Sequence, residues 1–310
     1  MYKIKSILPI ISAVLNAVIV GFSLLFTKNA VAVLPPLFTL AYRFSIAFLI
    51  MSLLILFKVI KVNYKNKNLK ILLLFSIVQP VMFFTFQAYG MKYASSSEAG
   101  IIMALTPIII MIMSYYFLKE NISTRQRSFA LLSVFGVMVI YIMNGITLNK
   151  SFLGPFLIFL SVISTSSYTV MAKKLSTSFT PIELTYGMML VGATFFNICA
   201  LIFYGETLSM KSFLTTLQNK PFLIAILYLS FLSSIGTSFL SNYSVSKMDA
   251  AIVGIFSNLS TVVSIFAGVF VLNESFYVYH FIGTAMILAG VIGVNKKLNL
   301  ASAKEEKEEQ

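Results

Sequence analysis

Three amide side chains, those of Asn16, Gln79 and Asn258, lie inside long apolar stretches of the sequence. An amide held away from water is costly unless it finds a polar partner, so each of them serves either helix packing or the binding of a polar solute. Ser234 and Ser238 lie four residues apart, which places them on one face of a helix. The chemistry that these residue types can perform is hydrogen bonding to a small molecule.

Tyrosine hydroxyls extend the set of candidates, with Tyr168 inside an apolar stretch and Tyr89 and Tyr243 near the ends of two others. The alternative for a tyrosine near a span end is an interfacial aromatic, and the alternative for a single serine is a bond back to the carbonyl four residues earlier. We predict that the substrate-binding residues are Asn16, Gln79, Tyr89, Tyr168, Ser234, Ser238, Tyr243 and Asn258.

Arg43 is the only basic residue well within an apolar stretch, and Pro107 lies near the middle of another. A cation inside a membrane is either functional, by binding a substrate carboxylate or by gating, or structural, with a side chain that reaches toward the interface. A proline inside a helix frees a carbonyl, which makes Pro107 either a hinge or a simple bend.

The sequence offers little for catalysis or metal binding. It has one Asp, Asp249, and one His, His280, whereas a membrane-embedded hydrolase needs paired acids, a nucleophile with a base, or several metal ligands. We therefore expect no enzymatic activity, no metal and no cofactor. The one cysteine, Cys199, has no partner for an internal disulfide.

These residues must be positioned by membrane helices, because 58% of the chain is hydrophobic, only 11% is charged and the mean hydropathy is +0.92. Apolar runs of about 20 residues, the length that crosses a bilayer, predict an all-α integral membrane protein with ten transmembrane helices. The predicted spans are residues 7–27, 36–57, 69–91, 95–118, 127–146, 152–172, 181–204, 221–244, 249–271 and 276–294. The fifth and tenth spans have few polar residues, and we expect them to be peripheral.

A repeat relates the two halves at a constant spacing of 154 residues. The matched pairs are Tyr89 with Tyr243, Gly100 with Gly254, Leu105 with Leu259, Leu118 with Leu272, Glu120 with Glu274, Gly136 with Gly290 and Val137 with Val291. Five spans in each half insert the two copies in opposite orientations, an architecture typical of secondary transporters. We predict repeats at residues 1–147 and 148–295 and a solvated charged tail at 296–310.

Basic residues set the predicted orientation. Of the 23 Lys and Arg residues, only five fall in the predicted outer loops when the N-terminus is inside: Lys28, Lys92, Lys150, Lys211 and Lys220. Both termini are therefore expected in the cytoplasm of a cell, most simply at a bacterial plasma membrane. The net charge of +13 reflects this topology, and no nucleic-acid partner is predicted. Glu120 and Glu274, in turns before helices, are expected to stabilise helix starts.

The chain resembles the ten-helix EamA family of the drug/metabolite transporter superfamily. The resemblance rests on Arg43 with Pro35–Pro36, on residues 93–100, on Leu105-Thr106-Pro107 and on Leu118-Lys119-Glu120, which the second half repeats in part as Leu272-Asn273-Glu274. It implies export or exchange of amino acids and other small metabolites, with the lipid bilayer as the setting and a monomer or weak homodimer as the assembly.

Alternatives from other classes stay open. A proton-coupled multidrug or organic-cation efflux transporter would need an acid deep in a span, and each Asp or Glu here falls near a predicted helix start, in a loop or in the tail. A membrane sensor or scaffold is the more remote alternative. Transport of a zwitterionic or neutral metabolite therefore fits the polar residues best.

Overall fold

A computed structural model describes residues 2–145, 152–204, 216, 218–272 and 275–308, and every regular element in those ranges is helical. Within them, nine helices are long and apolar enough to cross a membrane, and a shorter apolar segment, Val278–Val294, follows. The prediction of an all-α membrane protein with ten helical spans is confirmed. The boundary predicted at 147–148 and the repeat residue Glu274 lie outside the described residues.

The ten helices follow one another in chain order with short connections. They are α1 (Tyr2–Val31), α2 (Pro36–Leu56), α3 (Leu69–Tyr93), α4 (96–118), α5 (Thr124–Met143), α6 (Leu153–Leu175), α7 (Pro181–Tyr204), α8 (Lys220–Lys247), α9 (250–272) and α10 (Val278–Glu308). Helix α10 runs on through most of the tail that the sequence analysis predicted to be a separate solvated extension.

Local sequence explains where several helices begin. Pro36 occupies the first turn of α2, where its missing N–H costs nothing. Ser123 and Gln126 form a reciprocal capping box at the start of α5, and the side chain of Asn68 caps α3.

Four of the described helices are interrupted, and the interruptions match across the repeat. Helix α3 has a π-helical segment at Ile77–Met82, and α8 has one at Tyr228–Gly236, which includes the positions 154 residues later. Helix α4 breaks between Met103 and Thr106, and α9 breaks between Phe256 and Leu259. Pro107 lies in the first turn after the α4 break, and its role as a hinge or a simple bend stays a prediction.

Helix packing follows the same symmetry. Helix α5 pairs with α10 and α2 with α7, while the α3–α6 contact has its counterpart in the contact between α8 and α1. Glycines allow the α5–α10 pair to approach closely, because a Cβ on Gly136 would lie 2.7 Å from the carbonyl oxygen of Gly283. The two predicted peripheral helices therefore bury one face against each other.

Candidate functional site

The break in α3 centres on Gln79, whose backbone leaves helical geometry with φ −145° and ψ 122°. The next residue, Pro80, has no N–H to donate, so the helical ladder cannot continue unbroken. Non-helical backbone at membrane depth is tolerated where it is buried in protein or lines a cavity, and transporters place their sites at such breaks.

Arg43 lies in α2, and its guanidinium reaches the π-helical segment of α8. Its side chain is only 7% exposed. Arg43 Nε donates to Ser234 Oγ at 2.6 Å, and Nη2 donates to the carbonyl oxygen and the hydroxyl of Ser233 at 2.9 and 3.1 Å. Arg43 and Ser234, two predicted site residues, are thus brought together, and the alternative in which Arg43 reaches toward the interface is wrong.

The surroundings of the Arg43 guanidinium are aromatic and uncharged. Its central carbon lies 4.7 Å from the ring centre of Phe84 and 5.7 Å from that of Phe44. In the part of the chain that the structure describes, the single ion pair joins Lys67 to Glu183, so no described carboxylate balances Arg43. Rings facing a cation provide part of the missing stabilisation.

Gln79 presents an acceptor without a protein partner. Its Oε1 atom is buried and makes no hydrogen bond among the described residues, and the same holds for the hydroxyls of Ser76 and Thr85 on either side along α3. Most buried hydroxyls in this bundle instead bond back to their own helix, as do those of Ser12, Thr39, Ser114, Ser161, Thr185, Ser230 and Thr237. Among the described residues, three of the five buried atoms without a hydrogen bond thus lie on α3, and the other two are the hydroxyls of Ser166 in α6 and Thr284 in α10.

Tyr168 of α6 belongs to a buried network that the sequence analysis found only in part. Its hydroxyl donates to Asn242 Oδ1 at 2.9 Å, Asn242 Nδ2 donates to Thr185 Oγ1 at 3.2 Å, and the Tyr168 ring stacks on Phe75. Asn242 is fully buried and was not among the predicted site residues. Asn242 follows Ser234 and Ser238 at the same four-residue spacing on α8, and that position on a polar helix face could have identified it.

Asn258 makes a different contact. Its Nδ2 atom donates to Ser133 Oγ of α5 at 3.1 Å, and both side chains are buried. The amide lies at the break in α9, so its described bond joins α9 to α5. This contact favours the packing alternative for Asn258.

The remaining candidates are spread over the bundle. Asn16 of α1 is half-buried and Ser238 of α8 is buried, and neither makes a hydrogen bond within the described part of the chain. Tyr89 is 37% exposed, and the half-buried Tyr243 stacks against Phe239. The structure therefore gathers Arg43 and Ser234 with the α3 break and leaves the two repeated tyrosines away from that contact.

Contacts between the halves close the end of the bundle that was predicted to be cytoplasmic. The Glu120 carboxylate, in the loop before α5, accepts hydrogen bonds from the backbone N–H groups of Ala250 and Ala251 at 2.8 and 3.1 Å. The carboxylate thus stabilises a helix start, as expected, but the start is that of α9 in the other half. Lys173 Nζ donates to the Met248 carbonyl oxygen at 2.8 Å in the same region.

A second cluster at this end is built around Glu183, in the first turn of α7. Its carboxylate accepts from Lys67 Nζ at 2.5 Å and from the backbone N–H groups of Asn63 and Thr180. The Tyr64 hydroxyl donates to the Glu183 carbonyl oxygen. Burial raises the pKa of Tyr64, and the nearby carboxylate raises it further, so this phenol remains a donor.

Comparison with known proteins points to one family. A model of the EamA-like transporter family matches residues 7–142 and 152–296. The uncharacterized transporter YcxC of Bacillus subtilis (strain 168) is 40% identical over 289 residues, which are 93% of each chain. An uncharacterized transporter of Archaeoglobus fulgidus is 26% identical over 92% of this chain and 98% of its own.

One solved crystal structure has the same fold. It superposes with a TM-score of 0.78 at 17% sequence identity, covering 93% of this chain and 96% of the other. The agreement extends over both halves of the bundle.

Proposed function

This chain belongs to the EamA-like transporter family, and from that premise we propose that it exports or exchanges amino acids or related zwitterionic and neutral compounds by alternating access. The family match, the transporter relatives and the apolar helices identify a multi-pass membrane transporter of small molecules. The substrate class and the mechanism are our proposal.

The observation that carries the proposal is the buried Arg43 between α2 and the interrupted helices α3 and α8. A lone cation inside a membrane is costly, and such residues commonly belong to substrate or ion pathways. Broken helices at matching positions of two repeats are where a transporter substrate is bound. The site thus combines donors, acceptors and aromatic surface suited to a small polar molecule.

Alternating access is supported by the contacts that join the halves at one end. The proposed repeats, residues 1–147 and 148–295, touch there through Glu120, Lys173 and the Lys67–Glu183 pair. These are polar contacts that can break and form again without disturbing the apolar core. We propose that this end faces the cytoplasm and that its opening releases or admits substrate.

The alternative of proton-coupled efflux of organic cations fits the site less well. The described Asp and Glu side chains lie at helix starts or in loops, and the one charge buried near the α3 break is positive. A cationic drug would be repelled by Arg43. A sensor or scaffold would have no need of unsatisfied polar atoms at a helix break.

Counterflow in proteoliposomes tests the proposal. Vesicles containing the purified protein are preloaded with neutral, aromatic or sulfur amino acids, and uptake of the same labelled compound is measured with and without a pH gradient. We expect uptake without a gradient. Strict dependence on the gradient would favour the proton-coupled alternative, and the absence of uptake for the whole panel would contradict the amino-acid proposal.

A further inference from the structure

Arg43 has hydrogen-bonding capacity beyond its described contacts. A guanidinium has five N–H donors, and the described bonds start from Nε and Nη2, so the Nη1 group makes none of them. The groups that it contacts, Ser233 and Ser234, are neutral. The Nη1 group, with two N–H donors and a share of the positive charge, is suited to a carboxylate oxygen, because the carboxylate also supplies the balancing negative charge.

Gln79 offers the opposite property. The oxygen of an amide only accepts hydrogen bonds, and Gln79 Oε1 is buried without a described donor. Leaving such an atom unsatisfied is unfavourable, so a ligand that donates a hydrogen bond there gains stability. An ammonium group is the strongest such donor, and the amide oxygen imposes no repulsion on it.

Aromatic contacts relate Arg43 to the break that contains Gln79. Phe84, whose ring lies against the Arg43 guanidinium, follows Gln79 on α3 by five residues. Phe44 stacks edge-on against Phe84, and both Phe44 and Pro80 pack against Gly192 of α7. The Arg43 guanidinium and Pro80, the residue next to Gln79, therefore both lie beside Phe44.

We infer that Arg43 binds the carboxylate of the substrate and that Gln79 accepts a hydrogen bond from its ammonium group. The inference rests on the proposed function and makes it more specific: a substrate needs a carboxylate first and an adjacent ammonium second. Amides, esters and simple amines lack the group that Arg43 recognises. Deaminated acids retain that group and lose only the contact with Gln79.

The test uses three forms of the same molecule with the full-length protein in proteoliposomes. Leucine, phenylalanine and methionine are each compared with the corresponding amide and the corresponding deaminated acid as competitors of counterflow. For the unmodified protein we expect the amino acid to compete best and the deaminated acid more weakly. The amide should compete at least about tenfold more weakly than the amino acid, because losing one hydrogen bond between charged groups lowers affinity by about a factor of ten or more.

Variants separate the two contacts. Arg43→Lys keeps the charge but cannot hold Ser233 and Ser234 while also presenting the Nη1 donors, so we expect weaker binding of both acids. Arg43→Gln should abolish the preference for acids over amides. Gln79→Met keeps the size of the side chain and removes the acceptor. In this variant the amino acid should compete no better than the deaminated acid. Arg125→Gln, which removes an arginine at the start of α5, is the matched control and should leave the ranking unchanged.

Folding of every variant is verified by its elution as a single species in detergent. Equal competition by amides and amino acids in the unmodified protein would overturn the inference while leaving transport established. Preserved discrimination in folded Arg43→Gln would overturn the role of Arg43. If no form is exchanged by the unmodified protein, the proposed function fails and this inference fails with it.

Discussion

Replacing Glu120 by Gln should loosen the predicted cytoplasmic end of the transporter. The Glu120 carboxylate accepts two hydrogen bonds from the start of α9, at 2.8 and 3.1 Å. A glutamine keeps one acceptor oxygen and loses both the second bond and the negative charge. A hydrogen bond to a charged group contributes about 1.5–3 kcal/mol, and a charge at a helix start about 0.3–1 kcal/mol.

In the proposed alternating-access mechanism, the loss acts only on the arrangement closed at this end, because the contact joins the two halves. A change of about 2–3 kcal/mol therefore raises the population of the open arrangement by roughly 30- to 150-fold. Other contacts at this end, such as that of Lys173 with Met248, are unaffected by the substitution. Opening should become more frequent while the fold persists.

Accessibility of a buried cysteine measures the effect. Ile252 lies on α9 beside Glu120 and is buried, so Ile252→Cys in a Cys199→Ser background reports opening through its rate of maleimide modification. We expect the rate to rise by at least about tenfold when Glu120→Gln is added, as the population shift predicts.

The control is Ser123→Ala, which removes the cap of α5 in the same loop without touching α9. Loss of the Ser123 cap should lower the stability of α5 by about 1 kcal/mol. Because α5 and its cap both belong to the first half, the rate of maleimide modification should stay unchanged. An unchanged rate in Glu120→Gln would refute the assignment of Glu120 to the closed state. Equal increases in both variants would show that loosening of the loop, and not the contact between halves, controls access.

Three further predictions concern stability and orientation. Glu183→Gln should lower the free energy of unfolding of the detergent-solubilised protein by about 1–3 kcal/mol, because it weakens the bond from Lys67 while the side chain at position 183 stays buried. An unchanged melting temperature would contradict a stabilising role of the Glu183 cluster. Gly283→Ala should destabilise by about 1–3 kcal/mol, since its Cβ would lie 2.6 Å from the Gly136 carbonyl oxygen, whereas Gly236→Ala, with its nearest atom at 3.5 Å, should be tolerated in the same melting assay. A fluorescent protein fused to the C-terminus should fluoresce and a fused periplasmic phosphatase should be inactive if the termini are cytoplasmic, and the reverse pattern would invert the proposed topology.

The ten spans could be predicted from the sequence, and so could one of the four disrupted helices, α4. Apolar runs predicted the ten helices because a bilayer imposes a length and a composition that few other structures share. Pro107 indicated a disruption of α4, and Pro80 lies in the break of α3, because the N–H that a proline lacks has a local consequence. The break in α9 at Asn258 has no proline, and only the repeat relates it to the break in α4.

Partners of the polar side chains could not be predicted in this way. Asn258 and Asn242 are both amides on apolar helices, yet one bonds to Ser133 and the other to Tyr168 and Thr185. The choice depends on how helices from different parts of the chain rotate against each other, and a periodic pattern within one helix contains little of that information. Arg43 illustrates the same limit, because its acceptors lie 190 residues away.

Divergence between the two halves is what gives the site its chemical polarity. The second spans of the two halves align at a shorter spacing of 145 residues, at which Pro36 of α2 pairs with Pro181 of α7 and the counterpart of Arg43 is Met188. At the spacing of 154 residues, the counterpart of Ser233 is Gln79. Each pair joins the two halves: α2 and α8 combine a cation with hydroxyl acceptors. The symmetry-related helices α7 and α3 instead carry a buried thioether and an unsatisfied amide oxygen. A symmetric pair of arginines would present like charges to each other, and a symmetric pair of methionines would bind no polar group. An excess of donors on one side and of acceptors on the other matches a molecule whose own ends carry opposite charges.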